Sequence, residues 1–295
     1  MTSAPTQLDN EFSLATAAAP GATQARVRRS WVNVPTGGHV SGIHWGGGGA
    51  RLVFLHDLGR SARSFDRVAL ALGQPSIAID LPGHGRSTWR LDGRYVPRRM
   101  AAAVAEAARS FAPQAELLVG AGLGGQVAVA IAGRQLLPSI RQLALVDPLP
   151  GLTSTPSAGR PDTGPTAGSS PLRFGSPGDA AEALRLRHPA WPEQEIDKEV
   201  ATELDPQADG SWAWRHHPGN LPAGTAIDAH DLVSWDSLAD LTVPVYALLG
   251  SPAGAGAADS LGVQFITVPG ADGDPLAVAP AALAANIDGL LPAQL

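Results

Sequence analysis

Short, uninterrupted apolar runs recur along the chain, at 51–55, 76–80, 116–120, 142–147, 244–250 and 263–268. A run without polar alternation suits a strand buried on both faces, the situation in a parallel sheet covered by helices. Between the runs, 64–72 carries apolar residues at helical spacing, and 98–111 and 124–137 are rich in alanine, the strongest helix former. Strand and helix in alternation predict an α/β fold: a doubly wound, mostly parallel sheet with helices on both faces. Ahead of the first run, β-prone stretches between 27 and 45 flank Pro35-Thr36-Gly37-Gly38, which predicts a hairpin.

The alternation breaks between 148 and 240. Gly, Pro, Ser and Thr crowd 151–177, which reads as loop. Two short helices are expected at 178–188 and 192–204, the second with Glu193 and Glu195 in its first turn, where the helix dipole favours carboxylates. Residues 148–240 are therefore expected to form a lid inserted into a core of 26–147 and 241–295. Residues 1–25, rich in Ala, Thr and Ser, are expected to be a flexible arm.

Composition narrows the function classes. With 44% hydrophobic and 16% charged residues the chain has the makings of a packed core. A net charge of −6 with scattered arginines argues against a nucleic-acid partner. No run approaches the ~18 apolar residues of a membrane span, and no basic-then-apolar leader opens the chain, so no membrane partner and a cytoplasmic location are expected. Cysteine is absent, which removes disulfides, thiolate metal sites and a Cys nucleophile. Lys198, the sole lysine, is the single amine for Schiff-base chemistry. No metal and no cofactor are expected, and oligomeric state is left open.

Five segments then carry a resemblance. Leu55-His56-Asp57-Leu58-Gly59 is similar to the H-G-x-G loop that follows the third strand of the α/β-hydrolase family. Ile79-Asp80-Leu81-Pro82-Gly83-His84-Gly85-Arg86-Ser87 resembles its D-x-P-G-x-G-x-S loop. Leu118-Val119-Gly120-Ala121-Gly122-Leu123-Gly124-Gly125 has the form of the nucleophile elbow, a sharp strand-to-helix turn closed by small residues. Leu145-Val146-Asp147-Pro148 and Val243-Pro244-Val245 match later strands. The resemblance covers 27–291 and implies an oxyanion hole made by the backbone N–H groups of Leu58 and Leu123.

The chain departs from the family's pattern where its chemistry resides. The family's serine position is Gly122. Its histidine slot, in Pro269-Gly270-Ala271-Asp272-Gly273-Asp274, is Gly273, and no histidine follows His230. The acid's usual place holds Ser251-Pro252-Ala253-Gly254. A Ser-His-acid triad acts as a unit, so these losses argue against an ordinary serine esterase.

Carboxylates are the remaining catalytic candidates. Asp57 stands where the family has Gly and would serve as general acid or base if buried. Asp272 and Asp274 flank the histidine slot. Asp147 ends a strand, where ligands of open α/β sheets bind. His56 and His84 read as packed loop residues, although His56, with the lid's His230, is also a pocket candidate. His216 and His217, being adjacent, cannot face one way, so a two-His metal site is not expected. Ser64 is expected to cap a helix starting at Phe65, and Trp89, Trp191, Trp212, Trp214 and Trp235 are candidate pocket walls. Gly120–Gly125 also fits G-x-G-x-x-G, a weak nucleotide signal beside the elbow reading.

The leading expectation is a pseudo-hydrolase binding a small apolar or carbonyl-bearing ligand beneath the lid, its pocket enlarged by the missing serine side chain. The alternatives are a cofactor-independent lyase, isomerase or cyclase using the oxyanion hole and one Asp, and a hydrolase with a non-standard site.

Overall fold

The computed structural model describes residues 27–147, 173–218, 232–250 and 261–291. Strands β1 (Val27–Asn33) and β2 (His39–Trp45) form the expected hairpin, closed by the Val34 N–H on the Gly38 carbonyl at 3.1 Å. The apolar runs become β3 (Leu52–Leu55), β4 (Ser76–Ile79), β5 (Leu117–Ala121), β6 (Gln142–Val146), β9 (Val245–Leu249) and β10 (Val263–Thr267). They join in an eight-stranded sheet of order β1-β2-β4-β3-β5-β6-β9-β10. The pairs β1–β2 and β2–β4 are antiparallel, and the rest are parallel.

Side chains alternate between two cores, one on each face of the sheet. Val53, Leu55, Ile77, Ile79 and Leu118 point to one, beneath the helices α2 (Pro97–Phe111) and α3 (Leu123–Gly133). Leu52, Phe54, Ala78, Leu117 and Val119 point to the other, beneath α1 (Asp66–Leu72) and α7 (Pro280–Asp288). The alanines of α2 let that helix lie close on the sheet, with Met100, Ala101, Val104, Ala105 and Ala108 buried at helical spacing.

The turn before α1 differs from expectation. A 3₁₀ turn, Ala62–Phe65, precedes the helix, and its cap is the Ser61 hydroxyl, which accepts the Arg63 N–H at 3.2 Å. Ser64 lies buried inside that turn.

Between β6 and β9 the chain leaves the sheet. The described part forms α4 (Pro177–Arg187), α5 (Glu193–Glu203) and a ribbon of β7 (Leu204–Pro206) with β8 (Trp212–Trp214), around Phe174, Ala180, Leu184, Ile196 and Trp214. Sequence patterning leaves this ribbon unassigned, because three-residue strands carry too little periodicity. After β10 a one-turn helix, α6 (Pro275–Val278), leads into α7. Among the described residues, no helix is long and apolar enough to cross a membrane.

Candidate active site

Three neighbouring strands end at one place. Asp57 follows β3, Gly122 follows β5 and Asp147 follows β6. Gly122 turns the chain from β5 into α3 with φ +47° and ψ −113°, a backbone that side chains rarely accept. The turn is tight on every side. A Cβ on Gly120 would lie 2.5 Å from the Gly124 carbonyl oxygen, and one on Gly124 would overlap the Leu55 carbonyl.

The space above Gly122 is filled by Asp57, which corrects the expectation of a pocket enlarged there. A Cβ on Gly122 would overlap the Asp57 carboxyl group. The oxyanion hole is filled too: Asp57 Oδ1 accepts the Leu58 N–H and the Leu123 N–H, each at 2.7 Å. Both donors that the resemblance assigns to a ligand oxygen are thus held by this chain's own carboxyl oxygen. Burial pushes the Asp57 carboxyl up to about 7; the two N–H bonds oppose the rise, and the charges of Asp147 and Asp274 add to it.

Asp57, Leu58, Gly122, Asp147, Gly273 and Asp274 open onto one cavity of about 190 Å³. Its other wall comes from the inserted segment, with Leu184, Arg187, His188, Trp191, Trp214 and His216. Asp274 reaches the cavity, but its oxygens are occupied. Oδ1 caps α6 through the Leu276 N–H at 3.0 Å, and Oδ2 accepts from Arg60 at 2.8 Å. Burial raises its pKa, while Arg60 restrains the rise.

Asp272 is exposed and does not line the cavity, so it is no catalytic candidate. The pocket assignment of His56 also fails. Its Nδ1 is paired with the Asp57 carbonyl at 2.7 Å, its Nε2 accepts the Leu81 N–H at 2.9 Å, and it stands behind the loop instead of lining the cavity. Burial lowers it to about 4, so it is neutral. His230 lies outside the described residues. His216 lines the cavity and burial takes it down to about 3. His217 turns the other way, stacked on Trp89 at 4.5 Å and hydrogen-bonded to the Tyr95 hydroxyl at 2.7 Å. Among the described residues, no group of three His, Asp or Glu side chains converges to hold a metal ion.

Sequence reading missed Arg60. Its guanidinium binds Glu195 at 2.7 Å, Glu199 at 3.3 Å and Asp274 at 2.8 Å, and lies 4.7 Å above the Trp191 ring, with His188 stacked on Trp191 at 3.9 Å. Burial disfavours that charge, and the three carboxylates hold it in place. Only a spatial view brings these partners together. The departures of Asp57 for Gly and of Gly122 for Ser are each visible in the sequence, but only the fold shows that the one side chain fills the other's place.

The sequence model of the alpha/beta hydrolase family matches residues 52–291. An esterase of Mycobacterium tuberculosis, Rv0045c, is 43% identical over 114 residues, a match spanning 38% of this chain and 38% of the esterase. A crystal structure of that esterase superposes with a TM-score of 0.73 at 26% identity, over 95% of this chain and 98% of the esterase. The structure of E-2-(acetamidomethylene)succinate hydrolase superposes with a TM-score of 0.71 at 22% identity, over 90% and 98%, a likeness of fold. The likeness to an esterase overturns the expectation of a ligand-binding pseudo-hydrolase, and that of a lyase, isomerase or cyclase. With its sheet order, its elbow turn and the family match over 52–291, the chain belongs to the alpha/beta hydrolase family.

Proposed function

We propose that the chain hydrolyses small carboxylic esters and that the Asp57 carboxyl group, in its protonated form, polarises the ester carbonyl. The observation that carries this reading is the pair of 2.7 Å bonds from the Leu58 and Leu123 N–H groups to Asp57 Oδ1. They leave Oδ2 as the atom able to meet a ligand in the cavity. A protonated Oδ2 donates to the carbonyl oxygen and strengthens its bond as negative charge develops there. The two N–H groups and the N-terminus of α3 steady Oδ1 throughout. A pKa near 7 leaves a large protonated fraction at neutral pH and matches the proton to its task. The size of the cavity and its walls of Val146, Leu184, Leu276 and two tryptophans favour a short apolar acyl group.

Hydrolysis of p-nitrophenyl acetate and butyrate tests the reading. The acid form is the active one, so the rate is expected to fall as pH rises through about 7. Asp57→Leu, a near-isostere without a donor, is expected to lose on the order of 10²–10³ in kcat/KM. Asp57→Asn keeps a donor, so it should retain part of the activity while losing the alkaline limb. A wild type that leaves these esters at the buffer rate overturns the reading, as does an unchanged alkaline limb in Asp57→Asn.

A further inference from the structure

One of the two N–H groups that hold Asp57 Oδ1 belongs to the peptide joining Asp57 to Leu58, so the carboxyl group is only as well placed as that peptide. We propose that His56 is a positioning residue for Asp57: its Nδ1–H bonds the carbonyl of that same peptide, and so fixes and polarises the Leu58 N–H on which Oδ1 rests. The inference rests on the reading of Asp57 given above and adds to it the side chain that orients the proton donor from behind.

The proton on the imidazole is located by its partners. The Leu81 N–H can only donate, and it meets Nε2 at 2.9 Å, so Nε2 is the bare nitrogen. A second proton there would set one N–H against another. The ring is fully buried, and burial takes it down to about 4, so it carries one proton, on Nδ1. Nδ1 lies 2.7 Å from the Asp57 carbonyl oxygen, and this contact is therefore a donation to the carbonyl. A second donor on the same oxygen is the Arg60 N–H at 3.2 Å, which closes the turn over 57–60.

The chain of bonds is continuous. It runs from the Leu81 N–H, just past β4, through the imidazole to the Asp57 carbonyl, across one peptide group to the Leu58 N–H, and on to Asp57 Oδ1 at 2.7 Å. A carbonyl that accepts a hydrogen bond makes the N–H of its own peptide a stronger donor, and buried bonds in series reinforce one another. The stronger donor favours the ionised carboxyl group, against the burial that favours the protonated one. The other N–H on Oδ1, from Leu123, comes from α3 and not from this loop. The ring is held in turn by His84, which meets it edge-on at 5.1 Å. The charged groups facing the imidazole are Asp80, which favours a second proton, and Arg60, which opposes it; those facing the Asp57 carboxyl are Asp147 and Asp274.

Two variants of the full chain separate the two ends of the ring. The amide nitrogen of Asn stands where Nδ1 stands, so His56→Asn keeps a donor to the Asp57 carbonyl and leaves the Leu81 N–H without its acceptor. The Gln amide reaches the Nε2 position, so His56→Gln keeps the acceptor and loses the donor. Each forfeits one buried bond, and urea midpoints are expected to fall by similar amounts. With Asp57 followed by carbon-13 NMR, His56→Gln is expected to raise its titration by roughly 0.3–1 in pH, a fraction of one hydrogen bond to a charged group. The alkaline limb of p-nitrophenyl acetate hydrolysis should rise with it. His56→Asn should leave both near the wild-type pH, whereas a merely structural histidine would move the two variants alike.

A further readout needs neither variant to fold: nitrogen-15 NMR of the wild type should place the ring proton on Nδ1 between pH 5 and 8. A proton on Nε2 overturns the inference, as does an Asp57 titration unmoved in His56→Gln or moved equally in His56→Asn. The two failures are distinct. A wild type that leaves the ester at the buffer rate while Asp57 follows His56 sinks the reading of ester hydrolysis and not the tie between the residues. An active wild type whose Asp57 is indifferent to His56 sinks this inference alone.

Discussion

Asp57 and Gly122 occupy a single volume, and neither can be changed as if the other were absent. The Gly122→Ser substitution, which would put a hydroxyl at the elbow, is expected to destabilise the fold. The new Cβ overlaps the Asp57 carboxyl, and the backbone sits at φ +47°. Overpacking of this kind costs about 1–3 kcal/mol. Asp57→Gly in the same chain removes the obstacle and frees the Leu58 and Leu123 N–H groups, so the double variant should recover most of that loss. A coupling of roughly 0.5–3 kcal/mol between the two changes is expected from urea denaturation. Additive effects would mean that the carboxyl swings away without cost. Each departure from the family pattern was legible by itself, one Asp in a loop and one Gly in an elbow. What was not legible is that they answer one another, because the residues lie far apart in sequence and only the sheet brings β3 and β5 side by side.

Among the elements, α5 shows where sequence reading stops. Its position and length follow from its pattern, and Glu193 at its start is exposed and paired with Arg185. Glu195, Glu199 and Glu203 repeat every fourth residue, a stripe that composition assigns to solvent. The stripe is instead buried, because Arg60, Lys198 and the Ser61 hydroxyl meet it. Burial, with the charge of Glu199, lifts Glu203 to about 7, against the bond from Ser61. The unfolded chain releases this proton near pH ~4.3. Between the two values the folded state holds a proton that the unfolded state lacks, so the contribution to stability is present at low pH and lost as pH rises through about 7. Glu203→Gln removes that titration and keeps an acceptor for Ser61. Its Tm should vary less than that of wild type between pH 5 and 8, with the relative gain at the alkaline end. A wild-type pH dependence unchanged in the variant would place the titration elsewhere.

At the scale of the molecule, the sheet and its two cores were readable because they arise from local periodicity. The runs at Leu52–Leu55 and Leu117–Ala121 send alternate side chains to opposite faces without any distant information. The union of sheet, inserted segment and C-terminal loop has no such local signature. Arg60 makes it, joining the loop after β3 to Glu195 and Glu199 of α5 and to Asp274 before α6. A buried cation with three carboxylates is costly to desolvate, so its worth shows when one partner is removed and the rest are left uncompensated. Arg60→Met is therefore expected to destabilise the fold by about 3–5 kcal/mol. Arg60→Lys should recover only part, since a compact ammonium cannot span three carboxylates and cover the Trp191 ring as a planar guanidinium does. Urea midpoints of the three proteins decide the matter. Equal midpoints for Arg60→Met and wild type would mean that apolar packing alone holds the inserted segment down. Equal midpoints for Arg60→Lys and wild type would mean that charge matters there and the fork geometry does not. An intermediate Arg60→Lys would identify one guanidinium, seated between the sheet and both later segments, as the tie that sets the shape of the cavity above Gly122.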